Sequence, residues 1–142
     1  MHTELRAREH HLHGPLWKPA ALGVALALPF VPLAILLPLH AADLLALFLA
    51  ATAGVYVGMA INDGRRTILW LELLPAAATF AFAALGLWGP TWWTAVGFLF
   101  HGAWDVLHHS YTVKTDVRWY FPPFCAAFDW AVAAVILLFL FG

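Results

Sequence analysis

The residues best equipped for chemistry fall in one run, His101-Gly102-Ala103-Trp104-Asp105-Val106-Leu107-His108-His109. On an α-helix, with about 100° between successive residues, His101, Asp105 and His108 lie within about 60° of one another on a single stripe. Imidazole and carboxylate together suit Zn, Fe or Mn, and an i, i+4, i+7 arrangement brings at least two of the three to one ion. The spacing therefore makes His101, Asp105 and His108 the candidate metal ligands. Glu72 and Asp129 join them by depth, since each sits about five residues inside an apolar run, roughly 8 Å from its polar boundary at 1.5 Å per residue. Acids inside hydrocarbon are expensive and face a bundle interior, a water-filled cavity or a partner. Glu72 and Asp129 are accordingly the candidate catalytic carboxylates, one of them serving as general base for a metal-bound water. Asn62, Asp63, His109 and Cys125 are placed near the mouth of the same polar cavity.

Blander roles exist for each of these groups. His101 and Asp105 can neutralise one another across a helical turn, and Asp129 can accept a hydrogen bond from Trp104. His108 and His109 can reach toward headgroups as interfacial side chains. His10, His11 and His13 read more simply as a solvated tract than as a metal site, and Cys125 as a small packing residue.

The elements that must position the stripe are membrane-spanning helices. Of 142 residues, 63% are hydrophobic and 11% are charged, whereas about a quarter of the residues in soluble domains carry charge. A bilayer core about 30 Å thick needs roughly 20 apolar residues per helix, and the chain supplies such runs at about 20–39, 42–61, 67–87, 91–109 and 123–141. Residues 1–18 form a polar, His-rich tail, and residues 19–142 a single transmembrane domain. The expected fold is an all-α, polytopic bundle of five transmembrane helices. Pro29, Pro32 and Pro38 kink the first span and Pro75 the third, while Ala50, Gly54 and Gly58 give the second a small-residue stripe for close helix packing.

Arg6, Arg8, Lys18, Arg65, Arg66, Lys114 and Arg118 all fall in the tail and in the loops after the second and fourth spans. The positive-inside rule then places the N-terminus in the cytoplasm and the C-terminus outside, in a cell inner (plasma) membrane. Trp17, Trp70, Trp119 and Tyr120 would form the inner aromatic belt, and Trp88, Trp92 and Trp93 the outer one. Seven scattered Lys and Arg make no footprint for nucleic acid, and a single cysteine makes no internal disulfide framework. The first apolar run is longer than a signal-peptide core and reads as a permanent span.

The strings YVGMAINDGR, HGAWDVLHH and WYFPPFCAAFDW together resemble an uncharacterised family of small bacterial integral membrane proteins, a domain of unknown function, over about residues 50 to 140. That resemblance implies the fold class and no particular activity. The HxxxD element at His101 and Asp105 is also similar to part of the zinc site of the membrane hydrolases that include alkaline ceramidases and adiponectin receptors. Those proteins have seven spans and a later HxxxH pair, whereas here His108 and His109 are adjacent; the similarity implies a metal and nothing further.

The functional expectation is a metal-dependent membrane enzyme, a hydrolase using Zn or an oxidoreductase using Fe. It would act on a lipid or other apolar small molecule from the cytoplasmic leaflet. The alternative is a non-enzymatic protein whose buried polar cluster binds or conducts a ligand, ion or proton, or a structural subunit of the membrane. With five helices and no inverted repeat, a transporter would require a homo-oligomer.

Overall fold

The computed structural model describes residues 14–110 and 112–140. Residues 1–13, with His10, His11 and His13, and the C-terminal Gly142 lie outside the described residues. Within them the chain is all-helical: α1 (Trp17–Ala27), α2 (Phe30–Leu36), α3 (Pro38–Asp63), α4 (Arg66–Trp88), α5 (Trp92–His109) and α6 (Phe121–Phe139).

Prolines and glycines set the breaks. Pro29 has no N–H to donate and its ring crowds the carbonyl one turn back, so the ladder shortens locally and the Leu28 N–H bonds the Ala25 carbonyl at 3.3 Å. Trp17–Leu36 is consequently one interrupted 20-residue apolar run, not a single helix. Leu37 leaves the helical region (φ −138°, ψ 61°), as a residue before proline tends to do. Pro38, expected inside the first span, instead opens α3, where a first-turn position leaves its missing N–H without consequence. Gly64 closes α3 in the left-handed region (φ 79°), a conformation that glycine takes without a Cβ clash. Pro75 stays within a continuous α4.

Four runs are long and apolar enough to cross a membrane: Trp17–Leu36, Pro38–Asp63, Arg66–Trp88 and Phe121–Phe139. α5 has 18 residues, but His101, Asp105, His108 and His109 dilute its hydropathy, and it is not among the four. Its polar residues are instead covered by protein. α5 packs against α6, α4 and α3, while α1 rests on α6, and α2 on α3 and α6.

The interior divides along its length. Toward the end that carries Trp88, Leu45, Leu49, Ala83, Ala95, Phe98, Val132, Ala133 and Ile136 form a dry apolar core. Toward the end that carries Arg65, the interior is polar. Gly102 sets the approach of α6 to α5 there, since a Cβ would stand 2.6 Å from Trp130 Nε1 and 2.8 Å from its Cδ1. The expected packing stripe on α3 is not used in this way: a Cβ on Gly54 or Gly58 meets nothing within 4 Å.

Candidate metal centre

All three residues of the α5 stripe are buried: His101 is 5% exposed, Asp105 0% and His108 2%. They do not converge on one point, because a stripe rising 1.5 Å per residue spreads i and i+7 about 10 Å along the axis. Each end meets a different neighbour.

At the deeper end, α6 delivers Asp129 against His101. His101 Nδ1 lies 2.7 Å from Asp129 Oδ2 and 3.7 Å from Asp105 Oδ2. The longer distance is no hydrogen bond, so His101 neutralises its intrahelical neighbour less directly than it does Asp129. Asp129 accordingly bonds His101 and not Trp104. From α3, the Tyr56 hydroxyl donates to Asp105 Oδ1 at 2.5 Å. Asp105 Oδ2 has no hydrogen-bond partner among the described residues. One ligand atom from each of His101, Asp105 and Asp129 can be chosen so that all three lie within 4.8 Å of one another.

At the shallower end, α4 delivers Glu72. His108 Nε2 lies 2.7 Å from Glu72 Oε1, and the Trp104 indole N–H donates to Oε2 at 3.0 Å. The Thr115 hydroxyl, from the segment between α5 and α6, also donates to Glu72 Oε1. His108 Nδ1 is 2.9 Å from the Trp104 carbonyl, and a carbonyl only accepts, so Nδ1 carries a hydrogen. One proton then lies between His108 Nε2 and Glu72, and the pair is neutral. Both ring nitrogens of His108 are engaged, and its ring stacks on Tyr56 with centroids 3.9 Å apart.

Charge distinguishes the two ends. The Glu72–His108 pair balances itself, and three donors reach the two Glu72 oxygens. At the deeper end one proton shared by His101 and Asp129 balances those two, leaving the wholly buried Asp105 with a phenol hydrogen bond on one oxygen and nothing on the other. A cation, or a proton, at that oxygen would leave no uncompensated charge there. Divalent first-row metals bind imidazole and carboxylate at about 2.0–2.2 Å, which separates adjacent donors by about 3.0–3.5 Å. The observed 2.7 and 3.7 Å from His101 Nδ1 bracket that range, and the two carboxylates come within 4.8 Å of one another, so the three groups would draw together around an ion.

A crevice lined by Ala53, Tyr56, Glu72, Pro75, Ala76, His101 and Trp104 lies between α3, α4 and α5, with room for about one water molecule. Both His101 and Glu72 line it. Cys125 is half-buried, and Asp63 lies in the α3–α4 turn, paired with Arg65.

Tyr56 and Thr115 were missed from the sequence, and Trp104, expected to donate to Asp129, donates to Glu72 instead. Tyr56 lies seven residues inside the end of α3, and the depth argument applied to Glu72 would have found it. Trp104 shares the stripe's helix, and Thr115 carried no signal in a polar loop. No curated protein and no solved structure matches the chain. A family profile extends over residues 18–141, adding α1 and α2 to the stretch whose motifs suggested a family of small membrane proteins. By that match over all six helices, the chain belongs to the family of unknown function DUF6010.

Proposed function

We propose that this protein is a metal-dependent membrane enzyme that holds one divalent ion, Zn or Fe, between His101, Asp105 and Asp129. The observation that carries the reading is Asp105 Oδ2, a fully buried carboxylate oxygen with no hydrogen-bond partner among the described residues, 3.7 Å from the imidazole nitrogen that Asp129 also engages. One imidazole and two carboxylates leave open positions on a tetrahedral or octahedral ion, as a catalytic site requires. The one-water crevice, lined by His101 among the three ligands and by Glu72, supplies a place for the attacking water. Glu72, whose Oε2 receives one donor, Trp104, and keeps a lone pair, is then the proton acceptor while the shared proton rests on His108.

The apolar core at the Trp88 end supports an enzyme or binding site over a conduction path. Leu49, Phe98, Val132 and Ile136 fill the interior beyond His101, where the buried polar side chains among the described residues are the hydroxyls of Thr79 and Thr94 and no ionisable group continues the path. A substrate of lipid or apolar character fits a site bounded by hydrocarbon, approached at the Arg65 end. The one-sided Lys and Arg put that end in the cytoplasm.

Metal analysis of detergent-purified protein, joined to hydrolysis of ester- and amide-linked lipids in mixed micelles, tests the proposal. About one ion per chain and hydrolysis abolished by chelator are expected. Well-folded protein that carries no Zn or Fe and gains none on incubation would overturn it.

A further inference from the structure

The route by which an ion reaches the site leads to a second element. Hydrocarbon surrounds the helices, and a hydrated cation cannot cross it without losing its water shell. The apolar core closes the Trp88 end. Aqueous approach therefore remains at the Arg65 end, where the segment after α5 reaches the buried Glu72 through Thr115.

That segment is pinned on both sides. Val113 is 4% exposed and Thr115 7%, and the Thr115 hydroxyl caps Glu72. On its outer side, the Arg65 guanidinium grips the Asp63 carboxylate with Nε and Nη2, each at 2.6 Å. Nη2 also donates to the Lys114 carbonyl at 2.7 Å. Asp63 Oδ2 in turn accepts from the Asp116 backbone N–H at 3.3 Å. The α3–α4 turn thus holds the backbone on either side of Thr115 with one guanidinium–carboxylate fork. Inside the bundle Thr115 closes over Glu72; outside, the fork straddles the boundary, with the Arg65 side chain 53% exposed and that of Asp63 3% exposed.

We propose that residues 112–116 are a strap, latched by the Asp63–Arg65 fork, whose release admits ions and water to the buried centre. The cargo of this gate rests on the metal reading given above; the latch itself does not. Such a fork suits a gate, because a covered carboxylate holds the charge-assisted hydrogen bonds that keep the strap shut, while the guanidinium on its outer side can exchange the Lys114 carbonyl for water.

Two measurements test the strap. In a Cys125→Ala background, the Val113→Cys thiol should react slowly with a bulky, charged maleimide while Arg65 is present. Adding Arg65→Ala should raise the rate about tenfold, of the order expected on losing a charge-assisted hydrogen-bond set. Arg66→Ala, which removes the adjacent positive charge but no contact with Asp63 or Lys114 described above, should leave the rate unchanged. Equal labelling with and without Arg65, or equal acceleration by Arg66→Ala, overturns the latch.

The second measurement loads the otherwise unmodified chain and its Arg65→Ala variant with Zn²⁺ and follows loss of the ion to EDTA. Faster loss at unchanged stoichiometry is expected from Arg65→Ala. Faster labelling without faster Zn²⁺ loss overturns the strap as the ion's gate. Protein that binds no Zn²⁺ or Fe²⁺ at all overturns the metal reading, and the labelling rates still decide the latch.

Discussion

His108→Ala should destabilise the protein severely while leaving its metal content intact. The imidazole shares one proton with Glu72 across 2.7 Å, and both side chains are fully buried. Removing it strands a carboxylate in a low-dielectric interior, and breaking a buried pair from one side costs about 3–5 kcal/mol. Trp104 and Thr115 still donate to Glu72, which places the loss toward the lower limit, about 3 kcal/mol. The lost stack on Tyr56 adds roughly 0.5–1 kcal/mol. Glu72→Gln should cost less, about 1–2 kcal/mol, because a neutral His108 can accept from the new amide through Nε2. In the double variant the stranded charge is absent, so the cycle should show a coupling of about 2 kcal/mol. Unfolding titrations in mixed SDS micelles, followed by far-ultraviolet circular dichroism, read these differences, and metal analysis of the same preparations reads the site. A loss below about 1 kcal/mol for His108→Ala, or additivity in the cycle, would refute the buried pair; loss of metal without loss of stability would make His108 a ligand after all.

The remaining expectations concern packing, positioning and topology. Tyr56→Phe removes the hydrogen-bond donor that Asp105 has among the described residues and should cost about 1–3 kcal/mol in the same titration, with the stack on His108 preserved. Gly102→Ala forces a methyl group against the Trp130 indole and should destabilise by about 1–3 kcal/mol. Gly54→Ala, with open space around it, should be neutral or stabilise by up to about 1 kcal/mol through helix propensity. Reporter fusions at Arg66 and Lys114 should report the cytoplasm and a fusion at Gly89 the exterior; an external Arg66 would reverse the orientation.

Much of the helix layout was legible because apolar run length and proline position act locally. The α5 stripe was legible for the same reason, as 100° per residue puts His101, Asp105 and His108 on one face. Depth then brought Glu72 and Asp129 to the right levels, since buried acids must face the interior. What spacing could not give was which acid meets which histidine. That depends on how neighbouring helices are offset along their axes, which places Glu72 beside His108 and Asp129 beside His101. Pro38 was read as a kink because an apolar run hides a helix boundary, although the restriction on Leu37 was a usable signal. The Ala50, Gly54 and Gly58 stripe shows the converse error: small residues permit close approach without requiring it, and no neighbour within the described chain takes up the space beside Gly54 and Gly58.

The ligand set is the central claim, and X-ray absorption at the edge of the bound metal tests it most directly. Protein loaded with Zn²⁺ should show a shell of nitrogen and oxygen donors only, with the multiple-scattering signature of a single imidazole, from His101. Asp105→Asn and Asp129→Asn should each empty the site, while Glu72→Gln should leave the spectrum unchanged. Two imidazoles in the shell, a sulfur from Cys125, or a spectrum indifferent to Asp105 and Asp129 would contradict the assignment.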